Sequence, residues 1–545
     1  MEIITIKQLL EESVEQYRNQ VAFQIRQEDR YLKYTYQEVA LLVRKIQAAL
    51  VKLGIKHGDR VALLSENRPE WPISFLAITS LGAVVVPLDA MLKPEEVSFL
   101  LGDCGAKVII LGRNFSALIK VTGVEISRIF VEDFDRLATG GEGEVSAEVS
   151  PDDLASIVYT SGTTGVPKGV MLTHKNIMSD VSGTASLFDF GPGDTFLSVL
   201  PLQHTFETTA GFLGPFSKGA SITYAESLKS NNILRNMKET DVTIMCGVPL
   251  LYQVFYDGIL REVEAKNKTR VFSGLLFLAK AVKTLIGINI GKYFFSVIHK
   301  KFGGKIRFFV SGGAALDPQL ARNFELLGFT LLQGYGLSES APVLTCNTLK
   351  NNRLGSVGKA IPGVEIKIAG TELVGEILAF GPNIMKGYYK QKELSSRVLI
   401  NGWLYTGDVG YLDEDGYLFI TGRSKDIIVT SSGVNVYPEE LEFLLSKSPL
   451  IAECCVLGEK VKEGIRKGTE QVVAVIVPDQ DFFKKIGETS HDFIKRKLSI
   501  EIQQFNRSVA DCKRIAKFII RNDELPKTRL KKVKRHEVEM MLNDK

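Results

Sequence analysis

A chain of 545 residues is too long for a single hydrophobic core, and at roughly 100–200 residues per unit it allows about three or four. With 67 basic and 63 acidic side chains the net charge is only +4, which excludes a general nucleic-acid binder and makes any basic function local. The cysteines at 104, 246, 346, 454, 455 and 512 show no Cys-x-x-Cys spacing, which argues against zinc and for reduced thiols in a cytoplasmic protein. Met1–Gln16 carries Glu2, Lys7, Glu11, Glu12 and Glu15 without an apolar run, so no secretory signal is expected there.

In chain order, Tyr31–Tyr36 suits a strand and Gln37–Leu53 a helix. The run Trp71–Leu88 is uncharged and nears membrane-spanning length, yet Pro72, Gly82 and Pro87 interrupt it, so it reads as a buried helix, a glycine turn and a short strand. Strand candidates at Arg60–Ser65, Ala83–Leu88, Lys107–Leu111 and Arg128–Val131 alternate with helix-like stretches, which argues a layered α/β fold with largely parallel sheets. Residues 138–151, with Gly140, Gly141 and Gly143, read as an exposed loop.

The next stretch holds the strongest signal. After the apolar run Ala155–Val158 come Thr160, Ser161, Gly162, Thr163, Thr164 and Gly165, then Pro167, Lys168 and Gly169. Glycines that permit close backbone approach, four hydroxyls and one cation are the groups that replace water around a polyphosphate. The Walker spacing is absent, so a P-loop NTPase is disfavoured. A flexible surface loop is the competing reading; the length, the Pro167-Lys168 pair and the preceding strand favour phosphate.

Further strand candidates are Phe196–Pro201, Ala220–Tyr224, Val242–Met245 and Ile306–Val310. The last runs into Ser311-Gly312-Gly313, where small residues leave room for a flat ring or form a simple turn. The strand-like run Phe329–Leu332 feeds Gln333-Gly334-Tyr335-Gly336-Leu337-Ser338-Glu339-Ser340. There Tyr335 could stack on a base, and Ser338 and Glu339 offer a phosphate donor and a hard oxygen ligand for Mg²⁺; an incidental turn remains open. Asp408 suits a grip on ribose hydroxyls or an Asx cap, and Asp413–Tyr417 signals a hairpin.

Taken together, Tyr-Thr-Ser-Gly-Thr-Thr-Gly-Val-Pro-Lys-Gly at 159–169, Gly-Tyr-Gly-Leu-Ser-Glu at 334–339, Tyr-Thr-Gly-Asp at 405–408 and Gly-Arg-Ser-Lys-Asp at 422–426 resemble the adenylate-forming enzymes. That superfamily includes acyl-CoA synthetases, peptide-synthetase adenylation domains and luciferases. The resemblance implies a large multi-sheet α/β domain, 1–422, and a small mobile α+β domain, 423–545. It also implies two half-reactions: a carboxylate joins AMP with loss of pyrophosphate, then the acyl group passes to the thiol of CoA. By the same resemblance Thr160–Lys168 would hold the phosphates of ATP, with Thr160 and Glu339 close to Mg²⁺. Gly312, Gly313 and Tyr335 would frame adenine, with Gly336 beside them, while Ser338 would meet the α-phosphate and Asp408 and Arg423 the ribose. Lys425 would lie at the hinge. Leu525–Arg535 resembles the catalytic-lysine loop, with Lys532 at the catalytic position and Lys531 where relatives commonly have Gly; a solvated basic tail is the alternative.

Leu200–Glu207, ending His204-Thr205-Phe206-Glu207, resembles the acyl-pocket segment of long-chain fatty acyl-CoA synthetases, with His204 walling the substrate carboxylate. Leu275, Leu278, Val282, Leu285 and Ile286 share one helical face with Lys280 and Lys283 opposite, which would suit peripheral contact with an anionic membrane or an ordinary core-facing helix. An acyl-carrier-protein ligase would share every motif. A homodimer, the acyl chain length and the thiol acceptor are left open.

Overall fold

A computed structural model describes residues 4–137, 147–160, 167–370, 373–429, 435–460, 470–527 and 533–543. The chain divides into two compact units, 1–366 with 379–404, and 367–378 with 405–545.

The first unit is built on two sheets, counted over the described residues. In the seven-stranded sheet Ser127–Phe130, Val108–Leu111, Arg60–Leu64 and Val84–Pro87 lead to β1 (Leu154–Thr160) and β2 (Lys168–Thr173), with the short strand Gly387–Tyr388 at the far edge. The inner strands are parallel and near-continuously apolar, as strands covered on both faces must be. Between them the helix Glu70–Ser80 is buried along its whole length, which explains why Trp71–Leu88 reads as uncharged. β2 runs antiparallel to β1 and passes into the helix α1 (His174–Ser186), capped by Thr173 and Asn176.

Among the described residues the nine-stranded sheet carries six parallel strands, Val21–Gln27 together with β3 (Thr195–Ser198), β4 (Ser221–Tyr224), β5 (Ile244–Gly247), β6 (Phe308–Ser311) and β7 (Leu331–Gly336). β3 lies between β4 and β5, so the connections depart in opposite directions there. In open α/β sheets such a switch leaves a crevice at the carboxyl ends of the strands, the usual place for a ligand.

Two sequence expectations are corrected. β3 stops at Ser198 rather than running to Pro201. Gln333–Gly336 is no turn but the end of β7, paired antiparallel with β8 (Val343–Cys346) through Gly334↔Cys346 and Tyr335↔Thr345. The glycines that mimic a turn signal instead permit close backbone approach, since a Cβ on Gly336 would overlap the Pro342 carbonyl oxygen. The edge strand Gly387–Tyr388, now β9, pairs with Met171 and Val170 of β2.

The amphipathic stretch forms the helix α2 (Thr269–Ile286). Its buried residues are Phe272 and Ala279, with Leu275 and Leu276 packed partly against the core. The five residues read as one face are therefore split: Leu275 and Val282 are half-buried, whereas Leu278, Leu285 and Ile286 are exposed. The helix is apolar on two sides, so spacing alone misplaces the inward stripe.

The second unit takes in the hairpin of Trp403–Leu412 with Leu418–Arg423 from Tyr405 onward, and its turn is closed by Asp413 Oδ1 accepting the Asp415 and Tyr417 N–H groups at 3.1 and 2.8 Å. A three-stranded sheet, Ile451–Lys460, Glu470–Pro478 and Lys517–Ile520, packs with Pro438–Leu445 and His491–Ser508 around Leu441, Val456, Ala474 and Leu498. The chain is thus mixed α/β with a large N-terminal and a smaller C-terminal domain.

Candidate active site

β1 and β2 bring Thr160 opposite Lys168. Ser161, Gly162, Thr163, Thr164 and Gly165 lie outside the described residues. The half-buried Lys168 ammonium sits 5.5 Å over the Tyr388 ring. Tyr388 in turn donates its hydroxyl to Glu339 Oε1 at 2.8 Å, and the Glu339 carbonyl accepts the Met385 N–H at 2.8 Å. Burial, then the Glu339 charge, raise the Tyr388 pKa, so the phenol remains a donor. Two motif residues 171 positions apart, Lys168 and Glu339, therefore touch one side chain that the sequence reading left out.

The turn that carries Ser338 and Glu339 is held from three directions. Val343 donates its N–H to Asp180 Oδ1 of α1 at 3.0 Å, and Asn383 donates to the Ser340 and Val343 carbonyls at 2.9 and 2.8 Å. Thr209 donates to the Ala341 carbonyl at 3.1 Å. Asp180 is fully buried, and burial holds its carboxyl well above the ordinary range, opposed by the Val343 N–H. Nothing in the spacing of Asp180 or Asn383 marks them; each acts on a turn far away in sequence.

Past β3 the chain reaches His204 and then a π-helix, Glu207–Leu213, an irregularity common at functional sites. Phe206 packs toward Gly312, where a Cβ would lie 3.1 Å from its ring, so the pocket-like segment and the Gly312-Gly313 turn after β6 are neighbours. His204 Nε2 is buried without a hydrogen-bond partner, and burial lowers the imidazole pKa, leaving it neutral. Glu207 is 0% exposed, with neither carboxyl oxygen partnered at hydrogen-bond geometry; burial pushes it up to about 8, opposed by the Ser198 hydroxyl. Tyr335, Gly336 and Ser338 follow along β7 and its turn, half-buried.

In the second unit Asp408 pairs with Arg423 across the hairpin, Arg423 Nε to Oδ1 at 3.0 Å, and Asp408 is buried. It sits in a strand, so the Asx-cap alternative falls away. Lys425 is exposed in the short turn Ser424–Asp426. Lys531 and Lys532 lie outside the described residues. The segment next to them is anchored by Arg535, whose guanidinium donates to Asp426 Oδ2 and Glu442 Oε1 at 2.6 Å each and to the Val456 carbonyl at 3.2 Å.

A cation over a phenol with a carboxylate beside it thus stands in a layered α/β fold. The chain belongs to the AMP-binding enzyme family, whose pattern it matches over residues 10–389, with the AMP-binding enzyme C-terminal domain over residues 425–545. It is 31% identical to the long-chain-fatty-acid–CoA ligase FadD15 of Mycobacterium bovis, over 78% of this chain and 75% of that protein. The long-chain-fatty-acid–[acyl-carrier-protein] ligase AEE15 of Arabidopsis thaliana is 27% identical over 92% of this chain and 79% of its own. Among solved structures, ATP-bound MatB from Rhodopseudomonas palustris superposes with a TM-score of 0.78 at 26% identity, covering 99% of both chains.

Proposed function

We propose that the protein activates a medium- to long-chain fatty acid with ATP through an acyl-AMP intermediate and transfers the acyl group to CoA. The observation that carries this reading is the Lys168–Tyr388–Glu339 contact, which joins two nucleotide motifs of an AMP-binding enzyme in one place. Its long-chain ligase relatives and the His204-Thr205-Phe206-Glu207 segment support the acid class.

A fatty carboxylate approaching the α-phosphate is repelled by its charge, and the reaction needs that repulsion relieved and the in-line geometry held. In our reading Lys168 and the hydroxyls from Thr160 to Thr164 hold the phosphates, Ser338 meets the α-phosphate, and Gly312, Gly313 and Tyr335 frame the base. Asp408, Arg423 and Lys425 serve the ribose and hinge, and Lys532 acts in adenylation. A neutral His204 walls the carboxylate without pairing with it as a counter-ion. The oxygen donors Thr160 and Glu339 fit Mg²⁺, which when bound would neutralise phosphate charge.

Acid-dependent AMP release over a panel of carboxylates, with CoA and acyl-carrier protein compared as acceptors, tests the assignment. Turnover of C8–C18 acids with CoA is expected, and activity confined to acetate or amino acids would overturn it. In the same assay Lys532→Ala should cripple adenylation while sparing thioester formation from supplied acyl-AMP; equal loss in both would remove Lys532 from that role.

A second reading concerns where the acid is collected. No helix among the described residues is long and apolar enough to cross a membrane. Around α2, however, Val271, Phe277, Leu278, Leu285, Ile286, Ile288, Tyr293 and Val297 are exposed, Phe277 at 75% and Leu285 at 83%. Residues 266–305 carry Lys266, Lys268, Arg270, Lys280, Lys283, Lys292, Lys300, Lys301 and Lys305 and no acidic side chain. Lys266 and Lys301 pair with Glu262 and Lys283 with Glu325; the other basic residues and the exposed apolar side chains suit an anionic bilayer, at about 1 kcal/mol per basic residue near it. Sedimentation with phosphatidylserine vesicles at low salt is expected. Phe277→Ser with Leu285→Ser should weaken it without lowering the melting temperature, because both side chains face outward. Binding unchanged by this pair, or loss of a dimer in its place, would refute the membrane reading.

A further inference from the structure

We propose that Tyr388 is a positioning residue, holding the Glu339 carboxylate for a divalent cation that arrives with the nucleotide phosphates. The proposal rests on the adenylation reading above and extends it to a residue outside the motifs. Tyr388 is only 5% exposed and is fixed on every side. Its backbone lies in β9, paired with Val170 two residues beyond Lys168. Its N–H is donated to Ser395 Oγ at 2.8 Å, and that hydroxyl is itself donated to the Gln391 carbonyl at 2.8 Å. The ring lies under the Lys168 ammonium, and the hydroxyl is donated to Glu339 Oε1.

The chemistry follows from the inventory of lone pairs. An ionised carboxylate offers about four acceptor sites, so one phenol bond fixes its rotation and leaves the others for a hard cation. An O–H donated to a carboxylate is a charge-assisted bond, stronger than a neutral one, and it removes rotamer freedom that cation binding would otherwise have to freeze. Because β9 is an edge strand on β2, the same residue ties the carboxylate to the strand that carries Lys168. The cation ligand and the phosphate cation thus keep a fixed spacing.

Mn²⁺ serves as the probe, its binding to the ATP-loaded protein measured by electron paramagnetic resonance without any carboxylic acid, so that no turnover occurs. Tyr388→Phe keeps the ring and removes the hydroxyl. Mn²⁺ affinity should fall about tenfold or more, while ATP affinity in excess chelator stays unchanged. In a Glu339→Gln background, itself weakened toward Mn²⁺, Tyr388→Phe should add nothing. Three outcomes overturn the proposal: unchanged Mn²⁺ affinity in Tyr388→Phe, an equal loss of ATP affinity in chelator, or an additive loss in the double variant. Glu339→Gln with undiminished Mn²⁺ binding would instead strike at Glu339 as a cation ligand, and the proposal would fall with it.

Discussion

Gly336→Ala is expected to lower adenylation about 100-fold or more while the first unit stays folded, because a displacement of about 1 Å at a reacting group costs that much. A methyl group there meets the Pro342 carbonyl oxygen, which belongs to the backbone and cannot rotate away. Either β7 or the Ser338–Val343 turn must then give. The turn is the weaker partner, held by one bond each from Asp180 and Thr209 and two from Asn383 rather than by a continuous ladder, so the displacement falls on Ser338 and Glu339. Rapid-quench measurement of acyl-AMP formation, beside a thermal melt, checks the result. A melt lowered by many degrees with proportional loss of all activity would place the strain in the sheet.

Glu207→Gln is expected to stabilise the protein increasingly as pH rises from about 5 to 8. Burial pushes this carboxyl from its ordinary 4.5 up to about 8. Below pH 4.5 both the folded and unfolded chains carry the proton and the acid form costs nothing extra. Above it the unfolded chain ionises and the folded one does not, so the wild-type protein loses about 1.4 kcal/mol per pH unit until the folded group itself ionises near pH 8. By pH 7 the difference is on the order of 3 kcal/mol. Tyr224, Cys246 and Tyr252, which face it, are acids that burial holds neutral across this range and that could only become anions, so none supplies a counter-charge. Urea unfolding of both proteins at several pH values gives the slope; parallel curves would mean that Glu207 is ionised in the fold and has a counter-charge.

Much of this arrangement could be read in advance where the signal was periodic or local. Buried parallel strands such as Val84–Pro87 and Val108–Leu111 are short β-branched runs, and their positions follow to within a residue or two. The nucleotide motifs were visible because glycines, hydroxyls and one lysine are concentrated in a few residues. What escaped was long-range or two-sided. Asp180 and Asn383 are single polar residues whose partners lie 163 and 43 positions away. Tyr388 looks like one apolar side chain in an edge strand. Gln333–Gly336 carries the composition of a turn although it pairs as a strand. The inward stripe of α2 was misjudged because apolar residues cover more of that helix than its core contact needs.

If Thr160–Lys168 meets the phosphates as proposed, the direction in which the chain leaves it decides which kind of charge the nucleotide finds there. β2 begins at Lys168, so a strand and not a helix follows. A loop that opens a helix meets phosphate with roughly half an elementary charge from the aligned peptide dipoles, a charge written into the backbone that no side-chain change can erase. In the proposed reading the positive charge at that position belongs instead to the Lys168 side-chain amine. Such a charge can be removed by one substitution or masked by one acetyl group, so on that reading nucleotide affinity would be open to lysine chemistry from which a dipole-built cradle is protected.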